Sequence, residues 1–176
     1  MTSTRLWAPW RMAYISGLSD AAGPPAGAGS GGCFLCDAAA DGLDDTQLEN
    51  MLVLKRDERG VLMLNRYPYT NGHLLAAPHA HIGDLSDLSA SQRAGLMELC
   101  DLGVRLLRKA MNPQGFNVGM NLGRCAGAGL PGHAHMHVVP RWNGDVNFMQ
   151  TVGNIRVIPQ ALEESHKLLK CALEVV

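Results

Sequence analysis

The 176-residue chain is short of net charge, of long apolar runs and of paired cysteines, and it shows no internal repeat. With 15 Lys and Arg against 16 Asp and Glu, its formal charge is −1. No global field therefore draws it to nucleic acid or to an anionic membrane, and any phosphate recognition must be local. No stretch approaches the ~20 apolar residues that span a bilayer. The opening Met1-Thr2-Ser3-Thr4-Arg5-Leu6-Trp7 lacks the continuous apolar segment of a secretory signal. Among the five cysteines Cys33 and Cys36 form the one close pair, and there is no second C-x-x-C. An odd count suits reduced thiols plus a metal site better than a disulfide framework. The expectation is a cytoplasmic protein that binds neither nucleic acid nor membrane.

What is present is enough for one folded domain: 47% of the residues are hydrophobic, and the length fits a single core. Residues 21–32, rich in Gly, Pro and Ala, have nothing to bury and read as a linker. Before them lies an aromatic arm, Leu6-Trp7-Ala8-Pro9-Trp10-Arg11-Met12, expected to pack back onto the domain or onto a second subunit. The division is thus 1–32 for arm and linker, and 33–176 for the domain.

From Cys33 the body reads as strands, a helix, then strands again. Met51–Arg56 and Val61–Asn65 are β-type runs around the polar Asp57-Glu58-Arg59-Gly60, a hairpin pattern. Tyr67–Gly72 is a turn, and His73–Ala77 a strand ending at Pro78. Ser89 and Gln92 form a capping box for a helix over 89–111, with Leu96, Leu99, Gly103, Leu106 and Ala110 at helical spacing. Gly115–Asn121 alternates like a strand. A glycine-rich loop over 123–132 leads into a strand His133–Val139, and Pro159 can start a last helix carrying Leu162, His166, Leu169 and Leu173 on one face. Strands with segregated helices imply an α+β fold.

In a strand, His133, His135 and His137 point to one side. Three imidazoles in a row cannot all charge together, and when neutral they need matched donors and acceptors. Two chemistries suit them: a metal triad with an open position for water, or nucleophilic attack by one imidazole while its neighbours hold the substrate. The preceding Gly123–Gly132 loop favours the second, because its backbone can approach a ligand closely and offer N–H groups to phosphate oxygens.

These residues resemble the histidine triad family, whose signature is His-x-His-x-His followed by two apolar residues; here it reads His133-Ala134-His135-Met136-His137-Val138-Val139. The likeness extends upstream through Asn65, Pro68, Gly72-His73-Leu74-Leu75 and Pro78, covering roughly 33–142. Leu6–Arg11, Gly115–Asn121, Pro140–Met149 and Val157–Gln160 are similar to the diadenosine tetraphosphate phosphorylase-like branch. The resemblance implies a fold of about five antiparallel strands and two helices, with sheets joined across a homodimer. It also implies that His135 attacks the α-phosphate of a dinucleoside polyphosphate, giving a nucleotidyl-histidine released by water or by inorganic phosphate as co-substrate, without an organic cofactor. Nucleoside phosphoramidase or adenylyl-conjugate hydrolase activity is the alternative within the class, and a low-turnover nucleotide-binding regulator the alternative outside it.

By the same resemblance His137 and Asn121 lie beside the nucleophile, Asn65 lies near the ribose, and Gly129, with the loop around it, meets the phosphates. One departure stands out: Leu130 occupies a place where many members carry Ser or Thr. For the C-x-x-C pair, some bacterial members add two histidines to bind structural zinc. Here the set is Cys33, Cys36, His81 and His133, with His79 competing for the place of His81. A thioredoxin-like redox pair and two unconnected buried thiols are the other readings, the redox pair lacking the βαβ surroundings it would need.

Overall fold

Short apolar runs separated by turn residues become the strands of one sheet. The computed structural model describes residues 32–145 and 157–176. The aromatic arm, all of the linker but its last residue, and the Val146–Met149 flank lie outside them. In chain order the elements are α1 (Phe34–Ala39), α2 (Asp45–Asn50), β1 (Val53–Asp57), β2 (Gly60–Leu64), β3 (Leu74–Ala77), α3 (Ala90–Met111), β4 (Gly115–Met120), β5 (Met136–Arg141) and α4 (Leu162–Leu173). The five strands pair antiparallel in the order β1-β2-β3-β5-β4. Glu58-Arg59 is the hairpin turn, closed by the Asp57–Gly60 pair and by the Asp57 carboxylate accepting from the Arg59 backbone and guanidinium.

Side-chain alternation sorts the sheet into two faces. Leu62, Leu64, Leu74, Ala76 and Val138 pack with Leu96, Leu99, Leu106 and Leu107 of α3 and Leu169 of α4. Val53, Val61, Met63, Leu75 and Ala77 point the other way and pack with Leu35 and Ala38 of α1 and with Leu130. Gly103 lets α3 come this close: a Cβ there would lie 3.1 Å from Leu74 Cδ1. Ser89 and Gln92 cap α3 reciprocally, as the sequence requires, and Asn112 ends it in a left-handed conformation.

Three expectations need correction. The domain does not begin with a strand. Cys33 caps α1, its sulfur accepting from the Cys36 amide, and Asp44 with Gln47 builds a second capping box for α2, so two short helices join the two long ones. The last helix starts at Leu162, not at Pro159. The strand expected over His133–Val139 starts at Met136, because β3 ends before Pro78 and the β3–β5 ladder runs out at the Ala76–Met136 pair. Among the described residues no helix is long and apolar enough to cross a membrane.

Candidate functional site

Because Leu74 and Val138 face α3, His73 and His137 fall on the opposite face, and His135 stands next to them. The imidazoles of His135 and His137 meet edge to face at 5.0 Å, and those of His73 and His137 lie 5.1 Å apart. Early termination of the ladder separates the triplet: only His137 lies in β5. Upstream, the Ala134 amide donates to the Ile82 carbonyl at 2.6 Å, which pins this segment to the loop after β3. The triplet is therefore not one row. His133 turns toward the cysteines, while His135 and His137 stay together.

Main-chain groups decide where the protons sit. A carbonyl can only accept, so His135 donates from Nδ1 to the His133 carbonyl at 2.8 Å and carries its lone pair on Nε2. Likewise His133 donates from Nε2 to the Pro78 carbonyl at 2.9 Å, leaving Nδ1 bare toward the sulfurs. A backbone amide can only donate, so His73 Nδ1, receiving Tyr69 N–H at 3.1 Å, is an acceptor. Its proton is on Nε2, which donates to His137 Nδ1 at 2.9 Å. The His137 proton is then on Nε2, buried and without a partner among the described residues. A bare imidazole nitrogen on His135 thus stands beside an unspent N–H on His137. That pair suits attack on a centre whose oxygens need a donor.

Burial keeps these rings neutral. It pushes His73 down to about 3 from its ordinary 6.5, helped by repulsion from His137 and His135. His137 falls to about 4, first through burial and then through His135. Burial lowers His135 too, while the His133 carbonyl opposes the shift. Tyr69 covers the pair, its ring 4.6 Å from that of His73 and stacked at 5.7 Å on that of His137.

Asn65, expected near the ribose, forms the base of this array: its Nδ2 donates to His73 Nδ1 at 3.2 Å, and its Oδ1 accepts from the Tyr67 amide. Asn121 follows β4 and donates to the Gly127 carbonyl at 3.4 Å, bracing the glycine-rich loop. Gly129 is exposed with open space where a side chain would project, so a ligand can reach its backbone. Leu130, in place of the hydroxyl, packs its side chain into the core under α1. His73 and Tyr69 join the site although neither is among the residues expected there. The available signal was parity, since His73 precedes Leu74 by one residue and must face away from α3.

Cys33, Cys36, His81 and His133 come together, their ligand atoms all within 4.8 Å of one another. His133 Nδ1 lies 3.3 Å from Cys33 Sγ and 3.4 Å from Cys36 Sγ, and His81 Nδ1 lies 3.2 Å from Cys36 Sγ. Two sulfurs thus converge on one bare nitrogen, an arrangement that could hold a metal ion. The spacings also approach the roughly 3.3–3.8 Å between neighbouring ligands of a tetrahedral zinc ion. His79 goes elsewhere, donating from Nε2 to the Asp57 carbonyl at 2.6 Å.

Residues 47–144 match the HIT domain family. The chain is 39% identical to an AP-4-A phosphorylase of Mycobacterium tuberculosis over 94% of its own length and 82% of that relative. A Zn-bound histidine triad family protein from Mycobacterium smegmatis superposes with a TM-score of 0.66 at 31% identity, covering 84% of this chain and 96% of that one. A hypothetical histidine triad nucleotide-binding protein from Sulfolobus tokodaii shares the fold, with a TM-score of 0.63 at 23% identity over 81% of this chain and 93% of that one. The fold, the triplet and the family match agree: the chain belongs to the HIT domain, or histidine triad, family.

Proposed function

We propose that this protein cleaves dinucleoside polyphosphates at the α-phosphate through a nucleotidyl intermediate on His135, and that inorganic phosphate is the acceptor. The observation that carries the reading is the bare Nε2 of His135 beside the orphaned Nε2–H of His137. The first attacks phosphorus; the second donates to a non-bridging oxygen, where negative charge accumulates as the bond to the leaving group stretches. Asn121 shapes the loop whose backbone around Gly129 meets the remaining phosphate oxygens, and Asn65 holds His73 and the nearby ribose side of the site. The phosphorylase from Mycobacterium tuberculosis supports a dinucleoside tetraphosphate as substrate.

Cys33, Cys36, His81 and His133 are assigned to one structural zinc ion, a reading supported by their clustering and by the Zn-bound relative. Such an ion ties α1 to the loops after β3 and before β5 and leaves His135 outside its shell. A homodimer joined along β4 fits the edge position of that strand, where Val118 and the following Leu122 are exposed. The free thiols fit a reducing, cytoplasmic setting.

The test is incubation with diadenosine tetraphosphate, with and without inorganic phosphate, followed by identification of products. ADP formed only with phosphate is the expected result, and His135→Ala should abolish turnover while nucleotide binding persists. Turnover that survives His135→Ala contradicts the assignment of the nucleophile.

A further inference from the structure

Gln160 and α4 lie far from the histidines in sequence, yet a polar network joins them to the turn that carries Tyr69. The buried Ser165 hydroxyl lies 3.1 Å from Asn71 Oδ1 and 2.9 Å from Gln160 Oε1, and Asn71 Nδ2 donates to Gln160 Oε1 at 3.1 Å. One hydroxyl proton serves two oxygens, so each of the three side chains depends on the other two. The helix is a firm support because it is fixed to β1. His166 Nε2 donates to the Val53 carbonyl at 3.0 Å, Lys170 Nζ donates to the Leu54 carbonyl at 3.5 Å, and Leu169 is fully buried. The turn Tyr67–Gly72 has little anchorage of its own: Tyr67 is 80% exposed and Tyr69 44%. On its inner side the Tyr67 amide donates to Asn65 Oδ1, the Tyr69 amide to His73 Nδ1, and the His73 amide to the Thr70 carbonyl at 3.3 Å. Those bonds end on the very groups that must be oriented, so they supply no outside reference. Arg66 ties the entrance of the turn to the Asn50 carbonyl. The outer side rests on Gly72, whose backbone lies against Met111 and Leu107 of α3, and on Asn71.

We infer that Asn71, Ser165 and Gln160 are positioning residues of the reaction. Together they set the turn that lays Tyr69 over His73 and His137, so α4 belongs to the framework of the site. The inference rests on the nucleotidyl-His135 reading above for the activity it predicts, though not for its geometry. Tyr69 bears on His137 in two ways. Its amide fixes the acceptor nitrogen of His73, which gives its own N–H to His137 Nδ1, and its ring stacks on that of His137 at 5.7 Å. The N–H left on His137 Nε2 is aimed only as well as these two contacts are held. Loosening Asn71 lets the turn move outward, water reaches the face of His137, and the donor wanders from the oxygen it serves. Charge on that oxygen peaks in the transition state, so the loss falls on kcat rather than on KM.

The experiment pairs kinetics with hydrogen exchange on the full chain. Asn71→Ala, Ser165→Ala and Gln160→Ala should each lower kcat on diadenosine tetraphosphate with phosphate by about 10- to 100-fold, the cost of misplacing a catalytic group by roughly 1 Å. KM should stay within about three-fold, as for an interaction made chiefly in the transition state. The Asn71→Ala, Gln160→Ala double variant should lose no more than about three-fold beyond either single one, since both break one network. Added to Tyr69→Ala, which is itself slow, Asn71→Ala should change kcat by less than about three-fold, because the group it positions is gone. A residue that only stabilised the fold would leave kcat alone or lower it equally in both backgrounds. By nuclear magnetic resonance, the Tyr69 amide of Asn71→Ala should exchange about ten-fold faster relative to the Leu99 amide inside α3. Circular dichroism checks that each variant is folded at the assay temperature. A folded Asn71→Ala protein with kcat within about three-fold of wild type, equal losses with and without the Tyr69 side chain, or unchanged exchange at Tyr69 would overturn the inference. No turnover by the wild type, or turnover that survives His135→Ala, would instead remove the nucleotidyl-histidine reading; exchange at Tyr69 would still decide whether Asn71 holds the turn.

Discussion

Replacing His73 with Leu should make the protein less stable at pH 7, by a margin that shrinks as the pH falls to 5. At neutral pH the substitution leaves the Tyr69 amide and His137 Nδ1 without their partner. At about 1–3 kcal/mol for each group that loses its partner, a deficit of roughly 2–6 kcal/mol is the upper expectation. Acid then works against the wild type. His73 has its folded pKa near 3, against 6.5 when unfolded, so its neutral form is bound up with the fold. Its contribution is intact above pH 6.5 and is lost as the pH falls toward the folded value, because the unfolded chain takes up the proton first. By pH 5 this costs the wild type about 2 kcal/mol, at 1.36 kcal/mol per unit, and costs the Leu variant nothing at that position. Urea unfolding followed by circular dichroism measures the difference. With a slope of about 2 kcal/mol per molar, the gap between the two midpoints should narrow by about 1 M between pH 7 and pH 5. A gap that stays constant over that range would refute the claim that a neutral, buried His73 is held in place by the fold.

Three further outcomes follow from other parts of the molecule. Purified protein should carry one equivalent of zinc per chain by elemental analysis; Cys36→Ser should lose it, and chelation should lower Tm by roughly 5–10 °C. Gly72→Ala forces a side chain into positive φ (+74°) with its Cβ 2.7 Å from Met111 Sδ, whereas Gly42→Ala, at φ +78°, has open space around it. Calorimetry should show a loss of about 1 kcal/mol for Gly42→Ala and at least twice that for Gly72→Ala. Ser89→Ala removes the hydroxyl that accepts the Gln92 amide at the start of α3, so the denaturant midpoint should shift by the equivalent of about 1 kcal/mol.

Legibility in the sequence depended on how far apart the determinants lie. The helix α3 was readable because its capping box and apolar spacing are local, and so was the hairpin around Glu58-Arg59. By contrast, α1 and α2 have six residues each, too few to show a period. The box at Asp44 and Gln47 that marks α2 has the same form as the one at Ser89, but no apolar stripe follows it. The start of β5 could not be read from His133–Val139 alone, because it is set by Pro78, 55 residues before His133, where the neighbouring strand stops. Within the site, the clustering of Cys33, Cys36, His81 and His133 followed a motif that the family resemblance supplied. What separates His81 from His79 is the Asp57 carbonyl, a tertiary contact. The pairing of His73 with His137 was hidden for the same reason: parity places both on one face, but only the β3–β5 register makes them touch.

Four of the buried imidazoles take their orientation from the main chain: His135 from the His133 carbonyl, His133 from that of Pro78, His166 from that of Val53, and His73 from the Tyr69 amide. No substitution deletes a carbonyl, and only proline deletes an amide proton. A side-chain scan would therefore register the histidines and miss the groups that set their tautomers. Transplanting His-x-His-x-His onto another strand would carry over the rings but not the crossing loops that hold them. The chemistry travels with the path of the backbone through residues 65–83 and 133–137, and a designed copy would have to reproduce that path before any of its histidines could work.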